Sequence, residues 1–331
     1  MPNPYISGTG FYLPPRIVTN DELSTYMDTS DEWIQERTGI KERHYVEKGE
    51  GPSDIAIPAT KQALNAAGLK VSDIDFIIFA TSTPDFYAPG SGCLIQEKMG
   101  FNEIGALDIR VQCSGFIYGL SIAEQYIRTG TFKNILLIGA EVQSTAMDLT
   151  NAGRDTAIIF GDGAGAAIIS ATDEDRGVLS THMHSEGKYL KELWLESPAS
   201  NAGYPRINGE VLDEGKQFLK MNGKEVFRHA VTRFPEVINE ALEANNLTSE
   251  NIDLLIPHQA NLRITQMVQK RLSLRNEQVF SNIHKYGNTT AATIPIALAE
   301  AFNEGKIKDG DLLVLAAFGA GFTWASAIMK W

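Results

Sequence analysis

The sequence predicts an α/β fold built from two similar halves, and three observations support this prediction. Gln62–Ile78 (QALNAAGLKVSDIDFII) aligns without gaps on Glu240–Ile256 (EALEANNLTSENIDLLI), with seven of seventeen positions identical. The apolar run Asn134–Val142 has a counterpart in Asp311–Ala317, and both runs are typical of buried strands. The repeated segments also occur in the same order, which indicates a duplicated arrangement.

Each copy of the first repeat predicts a helix, a turn and a strand. An amphipathic helix carrying Ala-Leu-x-Ala ends at Gly or Asn, and a polar turn then leads into an Ile-Asp strand. Helix–turn–strand units look alike in many α/β proteins, so chance similarity is the alternative to duplication. We divide the chain near residue 172 into halves 1–172 and 173–331, each a sheet flanked by helices. The polar segment His182–Gly215 is predicted to be a covering loop.

Composition and charge exclude several classes of protein. The 331 residues are 43% hydrophobic and 21% charged, and the net charge is −12. No run of about 18 apolar residues suggests a membrane span, and Met1–Tyr5 lacks the start of a secretory signal. We therefore expect a soluble, cytoplasmic protein that binds neither membrane nor nucleic acid. An acidic partner would have to meet a local basic patch.

Cysteine usage favours neither a disulfide scaffold nor a metal site. The two cysteines, Cys93 and Cys113, lack the spacing of a zinc site or a disulfide framework. Cys113 lies in Leu107–Phe116 (LDIRVQCSGF), where a strand-like run changes to a helical pattern that should end near Gly130. A helix N-terminus favours thiolate, so we expect a lowered pKa for this thiol. A buried apolar cysteine is the alternative.

Two further polar residues follow predicted strands or precede helices. His258 lies in Pro257–Asn261 (PHQAN), at the C-terminal end of the second-copy strand, where open α/β sheets usually carry their chemistry. Asn288 precedes a helix predicted to begin near Ala291, and an Asn at such a place is most often a cap. Taken alone, His258 is equally consistent with a histidine in a surface loop.

Two glycine clusters invite different interpretations. Gly161–Ala166 (GDGAGA) superficially resembles a phosphate loop, but the strand-like residues that follow argue against a nucleotide site. Gly319–Gly321 follows a predicted strand and can turn backbone amides toward a cavity, as an oxyanion site requires. Close backbone packing is the alternative for the second cluster.

Taken together, these segments closely resemble the β-ketoacyl-acyl carrier protein synthase III family of the thiolase superfamily. The resemblance covers nearly the whole chain. It rests on segments in family order, namely Ser30–Ile40 (SDEWIQERTGI), the Cys113 segment, Gly161–Ala166, Pro257–Asn261, Tyr286–Asn288 (YGN) and Gly321–Trp324 (GFTW). It implies the thiolase fold, whose duplicated αβαβα layers would explain the internal repeat.

The resemblance also implies a catalytic set. Cys113 would take the acyl group from acyl-CoA, while His258 Nε2 and the Asn288 amide would stabilise the enolate formed as a malonyl thioester on acyl carrier protein, or on CoA, loses carbon dioxide. The backbone amides of Cys113 and Ala320 would hold the tetrahedral oxyanion. The implied enzyme is an acyltransferase that uses no cofactor and no metal.

Binding residues carried over from the family are more peripheral. Trp33 and Arg37 match the mouth of the CoA tunnel, and Arg154 would join them around the adenine. Simple packing is the alternative for Trp33. Arg228 and Arg263 match basic positions that receive the acidic carrier protein.

Departures from the family concern substrate choice. Ala88 stands where the family often has a Phe that reaches across a homodimer to close the partner's acyl pocket, so we expect a primer longer than acetyl. We expect a homodimer, because the family pairs its sheets across a two-fold axis and the strand near Asn134–Val142 should not be left with an apolar face exposed.

Three rival functions compete with this interpretation. A related enzyme of secondary metabolism could condense onto a β-ketoacyl thioester, or could acylate an alcohol or amine. A cysteine hydrolase would also use Cys, His and Asn, but in an unduplicated fold. A non-catalytic binding protein is disfavoured because all three reactive residues are present.

Overall fold

The computed structural model of the chain describes residues 1–331, apart from the side chain of Ala202. It contains thirteen strands: β1 (Asn3–Tyr12), β2 (Arg16–Thr19), β3 (Glu42–Tyr45), β4 (Phe76–Ala80), β5 (Gly105–Ile109), β6 (Asn134–Glu141), β7 (Gly163–Thr172), β8 (Gly177–Ser185), β9 (Leu193–Trp194), β10 (Lys220–Met221), β11 (Leu254–Pro257), β12 (Leu312–Gly319) and β13 (Thr323–Lys330). Its α-helices are α1 (Asn20–Leu23), α2 (Asp31–Thr38), α3 (Pro52–Ala67), α4 (Ser91–Met99), α5 (Gly115–Arg128), α6 (Arg154–Ala157), α7 (Gly209–Asp213), α8 (Gly223–Ala244), α9 (Leu262–Arg271), α10 (Ile283–Tyr286) and α11 (Thr293–Asn303).

Two mixed sheets form the frame, and their strand patterns correspond. The first has the order β1-β7-β6-β4-β5, and the second has the order β8-β13-β12-β11. In each sheet the first three strands pair antiparallel and the following pairs are parallel. A single parallel bridge between Leu255 and Val279 extends β11 where the first sheet has β5. Both helix–turn–strand units expected from the sequence repeat are present, as α3–β4 and α8–β11.

The sheets and helices stack in five layers. The central layer consists of α5 and α11, whose apolar side chains share one core with both sheets. Residues Thr293 to Ala301 of α11 are all buried, as expected for a helix enclosed on every side. Helix α3 covers the outer face of the first sheet, and α8 and α9 cover that of the second. The αβαβα layering of the thiolase fold is therefore confirmed.

The central layer brings the site residues close to the strands. A Cβ on Gly139 of β6 would lie 2.4 Å from the Ala291 carbonyl oxygen, so only glycine lets the 290–292 turn approach this strand so closely. The turn leads into α11 and carries Asn288 just before it. Glycine here therefore positions one of the predicted site residues.

Two sequence expectations need correction. Strand β6 lies inside the first sheet, between β7 and β4, and the side chains of Ile135 to Glu141 are buried within one chain. It is therefore not a strand left exposed for a partner copy to cover. The edge strands of that sheet are β1 and β5. The segment His182–Gly215 begins inside β8, because the strand runs on to Ser185, and only the remainder crosses the surface as short elements.

No helix in the described part of the chain is long and apolar enough to cross a membrane.

Candidate active site

One cavity of about 700 Å³ opens between the two halves and contains all three candidate catalytic residues. Cys113, His258 and Asn288 line its inner end together with Phe318 and Gly319. Trp33, Arg37 and Arg154 line the same cavity. Residues that lie far apart in the sequence therefore share one space, which no single segment predicts.

Cys113 lies at the junction predicted from the sequence. A short 3-10 turn, Gln112–Ser114, leads directly into α5. The face of α5 that carries Phe116, Leu120 and Ile127 is fully buried. The backbone amides of Ala320 and of Cys113 itself lie near the thiol sulfur and lower its pKa. Two converging amides of this kind can hold a negatively charged oxygen on an acyl carbon attached to the sulfur.

The expected low pKa of this thiol is wrong. Burial, together with the nearby Glu141 carboxyl, raises the pKa of Cys113 to about 12, although the amides of Ala320 and Cys113 oppose the shift. The reason is desolvation, since Cys113 is only 5% exposed and thiolate is poorly solvated in such a place. The resting protein therefore holds a neutral thiol at the helix N-terminus.

Glu141, a residue that no sequence motif identified, lies fully buried near the nucleophile. Its carboxylate accepts hydrogen bonds from Thr83 Oγ1 at 2.7 Å and from Ser82 Oγ at 2.9 Å. Burial still raises the pKa of this carboxyl to about 7, although those hydrogen bonds lower it. The only signal in the sequence was an acid at the end of an apolar strand.

His258 follows β11 and is held from behind by a hydroxyl. Its Nδ1 lies 2.6 Å from Thr293 Oγ1, at the start of α11. Its Nε2 is buried and, among the described residues, has no hydrogen-bond partner. Burial lowers the pKa of His258 to about 3, so the ring is neutral. Neither ring nitrogen hydrogen-bonds to Cys113 in the described chain, which disfavours the thiol-activating pair of a cysteine hydrolase.

Asn288 is fixed by its own backbone neighbourhood. Its Oδ1 accepts a hydrogen bond from the Thr290 amide at 2.8 Å. The Nδ2 protons therefore remain available to donate to a ligand in the cavity. Its main chain is anchored to the 159–161 segment, donating to the Ile159 oxygen at 2.9 Å and accepting from the Gly161 amide at 3.1 Å. The Gly161–Ala166 cluster thus supports Asn288, and it continues into β7 as the sequence predicted.

An indole and two guanidinium groups lie together along the cavity. Arg37 lies 4.4 Å from the centroid of the Trp33 ring, and Arg154 lies 4.9 Å from it. Arg154 also donates to the Asp28 carbonyl at 2.8 Å. The cluster offers a flat apolar surface with positive charge beside it, which suits a heteroaromatic ring with phosphates. Lys224 also lines the cavity, although no motif identified it.

The remaining candidates lie at the surface. Arg263 lines the cavity and lies 5.8 Å from the Phe227 ring centroid. Arg228 lies outside the lining, and its guanidinium is paired with Glu225 at 2.5 Å. Ala88 is exposed and does not line the cavity of its own chain. In the part of the chain that the structure describes, no group of three or more acidic, His or Cys side chains is placed to hold a metal ion.

Comparisons with known proteins find relatives that match nearly the whole chain. Models for 3-oxoacyl-[acyl-carrier-protein] synthase III match residues 107–187, and models for the C-terminal part of that enzyme match residues 242–331. The chain is 46% identical to the β-ketoacyl-[acyl-carrier-protein] synthase III of Caldanaerobacter subterraneus subsp. tengcongensis, over 98% of this chain and 97% of that one. It is 45% identical to the corresponding protein of Xanthomonas campestris pv. campestris, over 98% of each. The crystal structure of 3-oxoacyl-[acyl-carrier-protein] synthase III from Aquifex aeolicus VF5 superimposes with a TM-score of 0.90 at 42% identity, covering 99% of this chain and 100% of that one.

Proposed function

This chain belongs to the β-ketoacyl-[acyl-carrier-protein] synthase III family, and we propose that Cys113, His258 and Asn288 carry out its two half-reactions. The protein is a condensing acyltransferase of fatty acid biosynthesis with the thiolase fold. It joins the acyl group of an acyl-CoA to a malonyl group on acyl carrier protein, and it uses no cofactor. The convergence of one thiol, one imidazole and one amide in a single cavity carries the assignment of residues.

In the loading half-reaction, the Cys113 sulfur attacks the thioester carbonyl of acyl-CoA. The carbon–sulfur bond to CoA breaks, CoA leaves as a thiol with the proton that Cys113 gives up, and an acyl-enzyme remains. The tetrahedral oxyanion between these states is stabilised by the amides of Cys113 and Ala320, which lie near the sulfur. Losing one such donor typically costs about 3 kcal/mol of transition-state stabilisation.

In the condensing half-reaction, the malonyl thioester carbonyl lies against His258 Nε2 and Asn288 Nδ2. Carbon dioxide leaves, and the electron pair of the broken carbon–carbon bond forms an enolate whose oxygen accepts from both donors. The enolate carbon attacks the acyl-enzyme, the sulfur leaves as thiolate, and a proton taken from solvent restores the thiol. Neutral donors suit this step, and burial keeps His258 neutral.

CoA would enter past Trp33, Arg37 and Arg154. The indole offers a stacking surface for the adenine, and the two guanidinium groups favour its phosphates. Arg263 and Arg228 would meet the acidic carrier protein, because both are exposed near the start of α9 and α8. Arg228 would first have to exchange its Glu225 partner for an acid of the carrier.

A homodimer formed through β5 would account both for the expected dimer and for the expected role of Ala88 at the partner's acyl pocket. This strand pairs only with β4, and an unpaired edge is a template for another strand. Asp108 of β5 accepts the amides of Ser91 and Gly92 at 2.6 and 2.8 Å, which ties the Ala88 loop to that edge. Pairing of β5 with its copy about a two-fold axis would therefore bring Ala88 toward the partner subunit.

The assignment is tested by separating the two half-reactions. Cys113→Ala should form no acyl adduct by intact mass after exposure to acyl-CoA. His258→Ala and Asn288→Ala should still load the acyl group but lose malonyl decarboxylation by at least about a hundredfold each, the usual effect of losing an enolate or oxyanion donor. His284→Ala, which changes a half-buried histidine outside the cavity, serves as the matched control.

Several results would overturn the proposal. An adduct on Cys113→Ala would show that the nucleophile lies elsewhere. Equal loss of loading and decarboxylation in folded His258→Ala would remove the division between the half-reactions. Failure of the unmodified protein to decarboxylate malonyl thioesters, with loading intact, would favour an enzyme that transfers its acyl group to a different acceptor.

A further inference from the structure

The tautomer of His258 decides what this residue can do. A neutral imidazole carries one proton, and the nitrogen that lacks it can only accept a hydrogen bond. His258 Nδ1 faces Thr293 Oγ1 at 2.6 Å, and Nε2 faces the cavity without a partner among the described residues. If Nδ1 held the proton, the nitrogen in the cavity would repel the oxygen of an enolate. The hydrogen bond at Nδ1 therefore determines whether Nε2 can donate into the cavity.

The contact distances indicate which atom donates. The Thr293 hydroxyl has one proton and two neighbouring acceptors, His258 Nδ1 at 2.6 Å and the Thr290 carbonyl at 3.0 Å. That carbonyl also accepts the Thr293 backbone amide, so it stays hydrogen-bonded when the hydroxyl proton points at the ring. Hydroxyl donors form contacts of about 2.7–2.8 Å, whereas N–H donors to oxygen prefer about 2.9–3.0 Å. The 2.6 Å contact matches an O–H donor, and an imidazole nitrogen is the better acceptor.

We infer that Thr293 is a positioning residue whose hydroxyl donates to His258 Nδ1 and thereby keeps the proton on Nε2, where it can be donated to the second substrate. This inference rests on the proposed function and deepens it, because it supplies the reason why Nε2 is a donor. Thr293 touches no substrate and acts only through the ring.

The turn before Thr293 orients both donors at once. Thr290 has a left-handed backbone, with φ +52°, a strained conformation for a β-branched residue. In this conformation its amide donates to Asn288 Oδ1 at 2.8 Å, while its carbonyl accepts the Thr293 amide. One strained residue thus fixes the Asn288 amide and places the hydroxyl that fixes the His258 ring. Both cavity donors depend on this turn.

The first test is spectroscopic and needs no substrate. The protein is labelled with ¹⁵N-histidine, and the six histidine rings are observed by NMR, with His258→Ala identifying the signal of His258. The expected result is a proton on Nε2 and an acceptor signal for Nδ1. In Thr293→Val, which removes the hydroxyl at nearly constant shape, the acceptor signal should change or a second tautomer should appear. Thr293→Ser should restore the original spectrum.

The second test measures both half-reactions in the same variants. Thr293→Val should load acyl-CoA at the original rate, while malonyl decarboxylation falls about 10- to 100-fold, the usual effect of removing a group that orients a functional histidine. Thr293→Ser should recover decarboxylation to within a few-fold. Thr60→Val removes a buried hydroxyl of α3 that makes no hydrogen bond in the described chain, and it should leave both rates unchanged.

Two outcomes would overturn the inference. One is a proton on Nδ1 in the unmodified protein, which requires no variant to fold. The other is a Thr293→Val protein with an unchanged His258 spectrum and unchanged decarboxylation. Failure of the proposed function is distinguishable, because it would appear as decarboxylation that survives His258→Ala, whatever the spectrum shows.

Discussion

Gly319 is the position where a single methyl group should silence the nucleophile without unfolding the protein. It is the last residue of β12, and a Cβ built on it would lie 2.5 Å from Cys113 Cβ and 2.8 Å from Cys113 Sγ. Ordinary van der Waals contact begins at 3.4 Å. To move from 2.8 or 2.5 Å to 3.4 Å, the Cys113 side chain in Gly319→Ala would have to shift by 0.6 to 0.9 Å.

Such a shift is large for catalysis and modest for stability. Misplacing a reacting group by about 1 Å can cost about a hundredfold in rate, so acyl loading should fall by about that factor. Inserting one methyl group into a packed region typically costs about 1–3 kcal/mol, which corresponds to a fall of a few degrees in Tm. Because the sulfur also leaves the Ala320 amide, loading and condensation should fall together.

The assay is the rate of adduct formation by intact mass, with Tm measured on the same samples. Gly187→Ala is the matched control, since its Cβ would meet nothing within 4 Å. The control should keep both rate and Tm. A Gly319→Ala protein that folds and loads acyl groups at the original rate would refute the argument, because it would mean that Cys113 tolerates the displacement.

Three further predictions concern pH, primer and assembly. Because burial raises the pKa of Cys113 to about 12, the fraction of thiolate should grow with pH. In a Cys93→Ser protein, the rate of alkylation by iodoacetamide should therefore rise about tenfold per pH unit from about pH 6 to 9. A plateau of that rate near neutral pH would contradict this. Octanoyl-CoA should outcompete acetyl-CoA, since two to four more buried methylenes contribute roughly 1.5–3 kcal/mol, and Ala88→Phe should reverse the preference; an unchanged preference in that variant would reject the deep pocket. Light scattering should give twice 36.3 kDa, whereas an active monomer would remove both the dimer and the role of Ala88.

Local patterns predicted the elements that carry the site. The apolar spacing of Phe116, Leu120 and Ile127 correctly indicated a helix starting just after Cys113, because a helix must bury one face. The repeat correctly indicated equivalent helix–strand units, because each half buries its sheet in the same way. We propose that the halves 1–172 and 173–331 arose by duplication, as their corresponding strand orders suggest.

Properties set by packing between distant segments could not be predicted. The pKa of Cys113 depends on desolvation by the end of β12, about two hundred residues away in the chain. This desolvation outweighs the effect of the local helix N-terminus, which had suggested a low pKa. Thr293 lies in the first turn of the helix that the sequence predicted to begin near Ala291, and only the fold brings it to His258. The edge position of β5 likewise follows from strand order, which hydropathy does not encode.

Burial of the Cys113 thiol also bears on how the protein withstands oxidative damage. Peroxides and electrophiles attack thiolates much faster than thiols, so a cysteine kept protonated is a poor target. Cys93 is exposed and would be modified first, at a place outside the cavity. The reactive sulfur is therefore protected by its protonation state and needs no gate or protecting disulfide. The sulfur is expected to react with a thioester carbonyl carbon that binds beside the Ala320 amide.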